Sequence, residues 1–261
     1  MTTKPVIYHG TPQTPNAAFI GVMPGRFACI SYARPDQVDL AEMHCGERIM
    51  YDNGAFSAWT KGKPTNWPAF YKWLEPRLIG ERWAVIPDII DAPSQMQDGL
   101  LNEWPFSVEL GAPVWHTDEP VNRLLRLCEK WPRVCFGSTG SHWKIGGDDW
   151  RARMDEVWPQ LGNSHPKIHM LRGVAVARDY PFDSADSSSL AQNGWKRDTK
   201  FDFGDPWRGR NAYANHLESL PAYAGSRRAT SARHNANAQR PCDAQGIRQG
   251  EQRDFEGLGL W

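Results

Sequence analysis

Seven short polar strings, each directly behind an apolar or β-branched run, hold most of the side chains in this chain that could do acid–base or nucleophilic chemistry. They are His9 with Thr11, Asp52 with Asn53, Asp88 with Asp91, His116 with Asp118, Ser138 with Thr139, Arg172, and Asp183 with Asp186. Carboxylates crowded into a partly dry pocket repel one another, so at least one pKa rises and a nucleophile stands ready beside a general acid or base. Glycosidic chemistry uses such pairs. Taken singly, each aspartate has an equally good structural reading, because Asp or Asn just past a strand often caps the next helix or makes an Asx-turn.

Local context separates some of these candidates. In "FDSADSSSLAQN", residues 182–193, Asp183 and Asp186 are three positions apart, so a regular strand turns them to opposite sides. Only one can point to a common pocket, and periodicity does not say which; by composition alone the stretch reads as a serine-rich turn. "DNGAF" (Asp52 to Phe56) reads as a loop with Gly54 at positive φ and Phe56 packed beneath it. In "IPDIIDAP", Asp88 follows a proline and precedes an apolar pair, an unusual place for a charge unless it faces a cavity. The small-residue loop "GSTGSHWKIGG", residues 137–147, offers backbone N–H groups to a phosphate or a nucleobase carbonyl, or is simply flexible. His165 and His169 have i, i+4 spacing, but Pro166 lies between them, so no helical metal site is expected.

These strings need elements to position them. The runs ahead of them, with "FACISY" added, give eight strand candidates: "PVIYHG", "FACISY", "RIMYDNG", "WAVIPD", "APVWHT", "RVCFGS", "KIHMLRG" and "PFDSAD". Segments with helical spacing lie between most of them, such as "NWPAFYKWLEPRLI" and "PVNRLLRLCEKW", with Thr117 or Asp118 and Asp148 as expected N-caps. Alternating strands and helices predict a parallel sheet, and eight units predict a closed (β/α)8 barrel of TIM type over residues 1–222. A doubly wound open sheet is the rival, although no GxGxxG or GxxxxGK[ST] loop follows the first strand. In a barrel, functional side chains come from the C-terminal ends of the strands, where all the polar strings fall. Residues 223–261, rich in Arg, Ala, Gln and Gly, read as a poorly ordered tail.

Composition sets outer limits. Thirty Lys and Arg balance thirty Asp and Glu in 261 residues, so any polyanion site must be a local patch. Cys29, Cys45, Cys128, Cys135 and Cys242 lack CxxC spacing, which predicts reduced thiols in a cytoplasmic protein and neither disulfides nor a zinc cluster. The N-terminal residues lack an apolar h-region and no stretch of eighteen apolar residues occurs, so neither secretion nor a membrane partner is expected. Of the 13 tryptophans, most should pack in the core, while Trp59, Trp115 or Trp143 could stack on a planar ligand.

Asp52, Asp88, the glycine loop and Asp186, in that order, resemble the tRNA-guanine transglycosylase superfamily, most of all its phage and bacterial branch that inserts 7-deazaguanines into DNA. "DNGAF" resembles a DSGGF-like motif, departing from it at Asn53 and Ala55, and the resemblance makes Asp52 the acid/base aspartate and Phe56 part of the base pocket. Asp88 in "IPDIID" resembles the aspartate that recognises the purine edge, and His116 in "PVWHTDE" falls where a glutamine contacts the base. "VCFGSTG" resembles a Gly-rich strand end whose amides hold the base carbonyl, implying Gly137 and Ser138, and "HMLRGVA" with Gly173 resembles a pocket-lining "LMGVG"-like run. "FDSADSSSLAQNG" resembles the nucleophile strand, with Asp186 the nucleophile. The resemblance is patchy and covers roughly residues 5–195.

It implies a pentosyltransferase that replaces guanine in nucleic acid with a 7-deazaguanine through a covalent aspartyl–sugar intermediate, without a cofactor. The CxCxxC and His zinc site of tRNA-directed members is absent apart from Cys242, so no zinc is expected and DNA is the expected partner before tRNA. A phage-encoded enzyme working in the host cytoplasm fits this reading. The nucleic-acid backbone would meet Lys196, Arg197, Lys200, Arg208 and Arg210, unless these are ordinary solvated charges. Two other readings stay open: a barrel glycoside hydrolase using the same carboxylates on a saccharide, and a non-catalytic nucleic-acid or carbohydrate binding barrel.

Overall fold

The structure is a computed structural model that describes residues 4–198, 204–219 and 221–223. Every apolar run becomes a strand: β1 (Val6–Gly10), β2 (Phe27–Ser31), β3 (Ile49–Asp52), β4 (Trp83–Val85), β5 (Gly111–Ala112), β6 (Val114–His116), β7 (Arg133–Gly137), β8 (Lys167–Met170) and β9 (Ser184–Ser187). All pair in parallel, in the order β5-β4-β3-β2-β1-β9-β8-β7-β6. The two ends of that order are consecutive in the chain. Pro113, which has no N–H to give to a ladder, divides one stave into β5, paired with β4, and β6, paired with β7. Its carbonyl still accepts from the Cys135 N–H at 2.8 Å. The sheet is therefore a TIM-type (β/α)8 barrel with eight staves, and an open sheet is excluded.

Helices α1 (Asn16–Val22), α2 (Val38–Cys45), α3 (Ala55–Thr60), α4 (Trp67–Leu74), α5 (Ser94–Asn102), α6 (Val121–Lys130), α7 (Asp148–Leu161), α8 (Ser189–Asn193) and α9 (Arg208–Glu218) lie between or after the strands. Two expected caps shift. Pro120 takes the N-cap of α6, while Thr117 and Asp118 instead tie the Thr139 turn; α7 begins at Asp148 itself, with Gly147 before it.

Period-two alternation along each strand sorts side chains into two cores. Outward-facing Ile7, Ile30, Tyr51, Trp115, Phe136 and Ile168 pack beneath the helices, while Tyr8, Cys29, Met50, Trp83, Val85, Val114 and Cys135 fill the barrel. Trp83 Nε1 donates to Tyr8 Oη at 3.0 Å, and the Arg133 guanidinium lies 4.3 Å over the Trp83 ring. The barrel interior is thus a packed floor, above which only the upper layer of side chains is free to do chemistry.

Helix α9 is anchored to the barrel by polar contacts. His9 faces outward, with Nε2 2.8 Å from Glu218 Oε1, and Arg26 pairs with the same carboxylate. Arg210 is 1% exposed and donates to Asp198 at 2.6 and 3.2 Å and to the Thr14 carbonyl at 3.2 Å. The expectation that Arg210 meets a nucleic-acid backbone is corrected: a guanidinium fully engaged inside the fold has no free edge for a phosphate. Arg210→Ala should lower stability by about 3 kcal/mol, the cost of leaving the partner's charge half-buried and unpaired, which urea denaturation would measure.

Cys29, Cys45, Cys128 and Cys135 are free thiols. Among the described residues no helix is long and apolar enough to cross a membrane. The expected tail, from residue 224 onward, and with it Cys242, lies outside the described residues.

Candidate active site

The C-terminal ends of the strands bring Ser31, Asp52, His116 and Asp186 to one mouth, with Asp88 on the loop after β4. Alternation decides between the two aspartates of the last strand. Asp183 lies just before β9 and accepts from the Ile168 N–H at 2.7 Å, while its carbonyl accepts from the Val6 N–H at 2.9 Å. It fastens the lower ends of three staves. Asp186, three residues on, points into the barrel at the level of His169. Asp183→Ala should therefore cost about 1–3 kcal/mol of stability by stranding the Ile168 amide while leaving chemistry at the mouth intact, as paired denaturation and activity measurements would establish.

Asp186 is held on one oxygen. Oδ1 accepts from the Arg172 backbone N–H at 2.7 Å and lies 3.3 Å from His169 Nε2. His169 is fully buried, with Nδ1 2.8 Å from Ser184 Oγ. Burial lowers the His169 pKa more than Asp186 raises it, so the ring is neutral. With Ser184 donating to Nδ1, the tautomer that satisfies both contacts carries its proton on Nε2 and donates it to Asp186. Among the described residues Oδ2 of Asp186 takes no hydrogen bond.

Asp52 lies on β3, across the mouth from the last strand. Burial raises its pKa from the ordinary carboxylate range to about 6; Asp186 and Asp88 add to the rise, and hydrogen bonds from Ser31 and the Gly54 amide oppose it. The Ser31 hydroxyl donates at 2.7 Å and the Gly54 N–H at 3.2 Å, both to Oδ2. Gly54 adopts φ 76, as expected, and a Cβ there would sit 3.0 Å from Ala33. A carboxyl that titrates near pH 6 can deliver and recover a proton at neutral pH.

Asp88, 7% exposed, is the acceptor of a buried network. Asn53 Nδ2 donates to Oδ1 at 2.8 Å and His116 Nε2 lies 2.8 Å from Oδ2. Burial by itself lowers the His116 pKa, but the hydrogen bond and charge of Asp88, with Glu119 and Asp118, outweigh it and the net direction is up. Gln97 reaches His116 Nδ1 at 3.3 Å and grips both backbone polar groups of Ile89. The Asp88 and His116 pair is thus a fixed polar wall. Beside Asp88 opens a groove of about 260 Å³ lined by Ala55, Ala58, Trp59, Lys63, Trp67 and Ile89, among others.

The remaining sequence-predicted positions divide. Phe56 is half-buried at the mouth, carrying the Arg172 guanidinium 4.0 Å over its ring instead of packing beneath Gly54. Gly137 faces His116 and Val114, which a Cβ would meet at 3.0 Å, so its bare Cα keeps space at the mouth. Ser138 turns away, its Oγ accepting from Trp150 Nε1 at 2.9 Å. Gly173 is required by packing, because a Cβ would lie 2.0 Å from Met170 Cγ, and its N–H donates to the Met170 carbonyl. Trp115 is fully buried and cannot stack on a ligand, whereas Trp59 and Trp143 are about half exposed.

Of the expected backbone cations, Lys196, Arg197 and Arg208 are exposed on the segment from α8 to α9, with Arg197 over the Tyr213 ring at 4.2 Å. Lys200 lies outside the described residues. Among the described residues no three His, Cys, Asp or Glu side chains converge as metal ligands would.

Sequence reasoning missed Ser31, His169 and Ser184. A signal existed for each: Ser31 stands two positions after Cys29, and His169 and Ser184 stand at the parity of Leu171 and Asp186, all facing inward by strand alternation. No family model, curated protein or solved structure matches this chain.

Proposed function

We propose that this chain is a base-exchange transglycosylase that replaces guanine in nucleic acid, DNA in preference to tRNA, with a 7-deazaguanine. The observation that carries the reading is the pairing at one mouth of two unlike carboxylates. Asp186 is fixed by an amide and a neutral imidazole, and Asp52 is pushed to about 6. A fixed carboxylate beside a carboxyl poised to exchange a proton supports a nucleophile and an acid/base role for the two.

In the first step Asp186 Oδ2 bonds to C1′ of the target nucleoside and the C1′–N9 bond breaks. Its electron pair leaves with guanine, which takes the Asp52 proton. In the second, the Asp52 carboxylate removes the proton from the incoming base, whose N9 bonds to C1′ while the ester C–O bond breaks and Asp186 returns as carboxylate. Two displacements retain the configuration at C1′. Asp88, whose oxygens keep further lone pairs, offers an acceptor to a planar base edge, His116 holds it in place, and the neighbouring groove with Trp59 gives the base room. A target inside a duplex must first be unstacked, at a cost of about a few kcal/mol.

Incubation of the protein with guanine-containing DNA and a labelled 7-deazaguanine tests the reading. Label that stays in the DNA through denaturation, with release of free guanine, supports it; a saccharidase or a binding protein releases no guanine.

A further inference from the structure

Arg172 stands at the mouth without the partner its charge would ordinarily take. Its backbone is left-handed, with φ 57, and its N–H is the 2.7 Å donor to Asp186, so the residue is fixed beside the nucleophile. From there its side chain crosses to α3 and lies 4.0 Å over Phe56. Among the described residues no carboxylate comes within ion-pairing distance of the guanidinium, and no acceptor takes its N–H groups. It is exposed, and it is the cation on which the charges of Asp186, Asp52 and Asp88 act, in that order.

We propose that the Arg172 guanidinium binds a phosphodiester flanking the target nucleotide, so that the mouth takes a polynucleotide in preference to a free nucleoside. The inference rests on the base-exchange reading, because that reading brings the target sugar against Asp186 and so sets its own phosphates beside Arg172. Three carboxylates around one pocket repel a polyanion, and a cation at their rim offsets that repulsion where the chain must approach. A guanidinium stacked face-on over an aromatic ring keeps its edge N–H groups free, and that edge matches two phosphate oxygens at once.

The left-handed backbone supplies a clean variant. Arg172→Gly removes the side chain, keeps the N–H that holds Asp186, and suits a positive φ, so its thermal midpoint should be no lower than that of the parent. Arg172→Asn, which also tolerates this backbone, is the second neutral variant, and Arg172→Lys restores charge without the fork. Fluorescence anisotropy of a labelled guanine-containing single-stranded oligodeoxynucleotide, titrated across salt, reads the contact without chemistry. Both neutral variants should bind about tenfold more weakly near 0.1 M salt, with a slope of log affinity on log salt shallower by about 0.7–1, and Arg172→Lys should recover most of the slope. In exchange assays the loss on the oligonucleotide, mainly in KM, should exceed the loss on deoxyguanosine by about tenfold.

An unchanged salt slope, or equal losses on oligonucleotide and nucleoside, overturns the phosphate contact while base exchange by the parent still stands. If the slope falls as expected but the parent exchanges no base, the contact stands and the base-exchange reading fails. A parent that binds no oligonucleotide refutes both.

Discussion

Asp186→Ala is expected to abolish incorporation of a labelled 7-deazaguanine into DNA, lowering the rate by a factor of roughly 10⁴, as loss of a covalent nucleophile does elsewhere. Two features support so large an effect. Oδ2 is the oxygen without a hydrogen bond among the described residues once Oδ1 has taken the Arg172 amide and His169, and no other carboxylate lies on β9. Asp183 is bound to the Ile168 amide at the lower end of the barrel and cannot substitute. The loss should leave DNA affinity nearly unchanged, and a denaturing gel of enzyme and labelled DNA should lose any covalent adduct. Full activity in Asp186→Ala would remove the covalent mechanism altogether.

Asp52→Asn should divide activity and stability in opposite directions. The proton shuttle is worth about 10²–10⁴-fold, and that factor should be lost near neutral pH. The pH profile carries the sign. Departure of guanine needs Asp52 protonated, so single-turnover release of guanine should fall as pH rises through about 6, and this limb should vanish in Asp52→Asn. Stability follows the same titration. The folded pKa is raised from 3.8 to about 6, so the folded state binds this proton more tightly than the unfolded chain. The associated stability is complete below about pH 4 and is lost as pH rises through about 6. At pH 7 the ionised, crowded carboxylate therefore destabilises the fold, and neutral Asn should raise stability by about 2 kcal/mol, readable as a higher urea midpoint that converges with the parent at pH 4. A pH-independent difference would show that electrostatic crowding of Asp52 is not the cause.

These two aspartates also separate what strand pattern could reveal from what it could not. The eight staves were legible because apolar runs of four to six residues recur with helical segments between them, and a barrel is the arrangement in which each strand buries both faces. Period two separated Asp186 from Asp183, since residues three apart on a strand cannot share a face, and the bond of Asp183 to the Ile168 amide decided which of them stands at the mouth. Pro113 was not legible as a break within one stave, because its carbonyl continues the ladder that its missing N–H interrupts.

Residue types and their order by themselves determined an alternating parallel α/β fold, favoured a barrel over an open sheet, and put Asp52, Asp88, His116 and Asp186 at its polar mouth. Those features follow from local alternation and from the fixed polarity of parallel strands. Only the tertiary structure decided which groups are free to act there. Ser31 and Asp52 are 21 residues apart and touch, His169 reaches Asp186 across 17, and Arg210 reaches Thr14 across 196. The last of these contacts turns an apparent phosphate ligand into a strut of the fold, while the Asp186 amide contact and the Phe56 ring leave Arg172 as a cation with open donors. Charge, burial and hydrogen-bond engagement depend on neighbours distant in the chain, and strand periodicity carries no information about them.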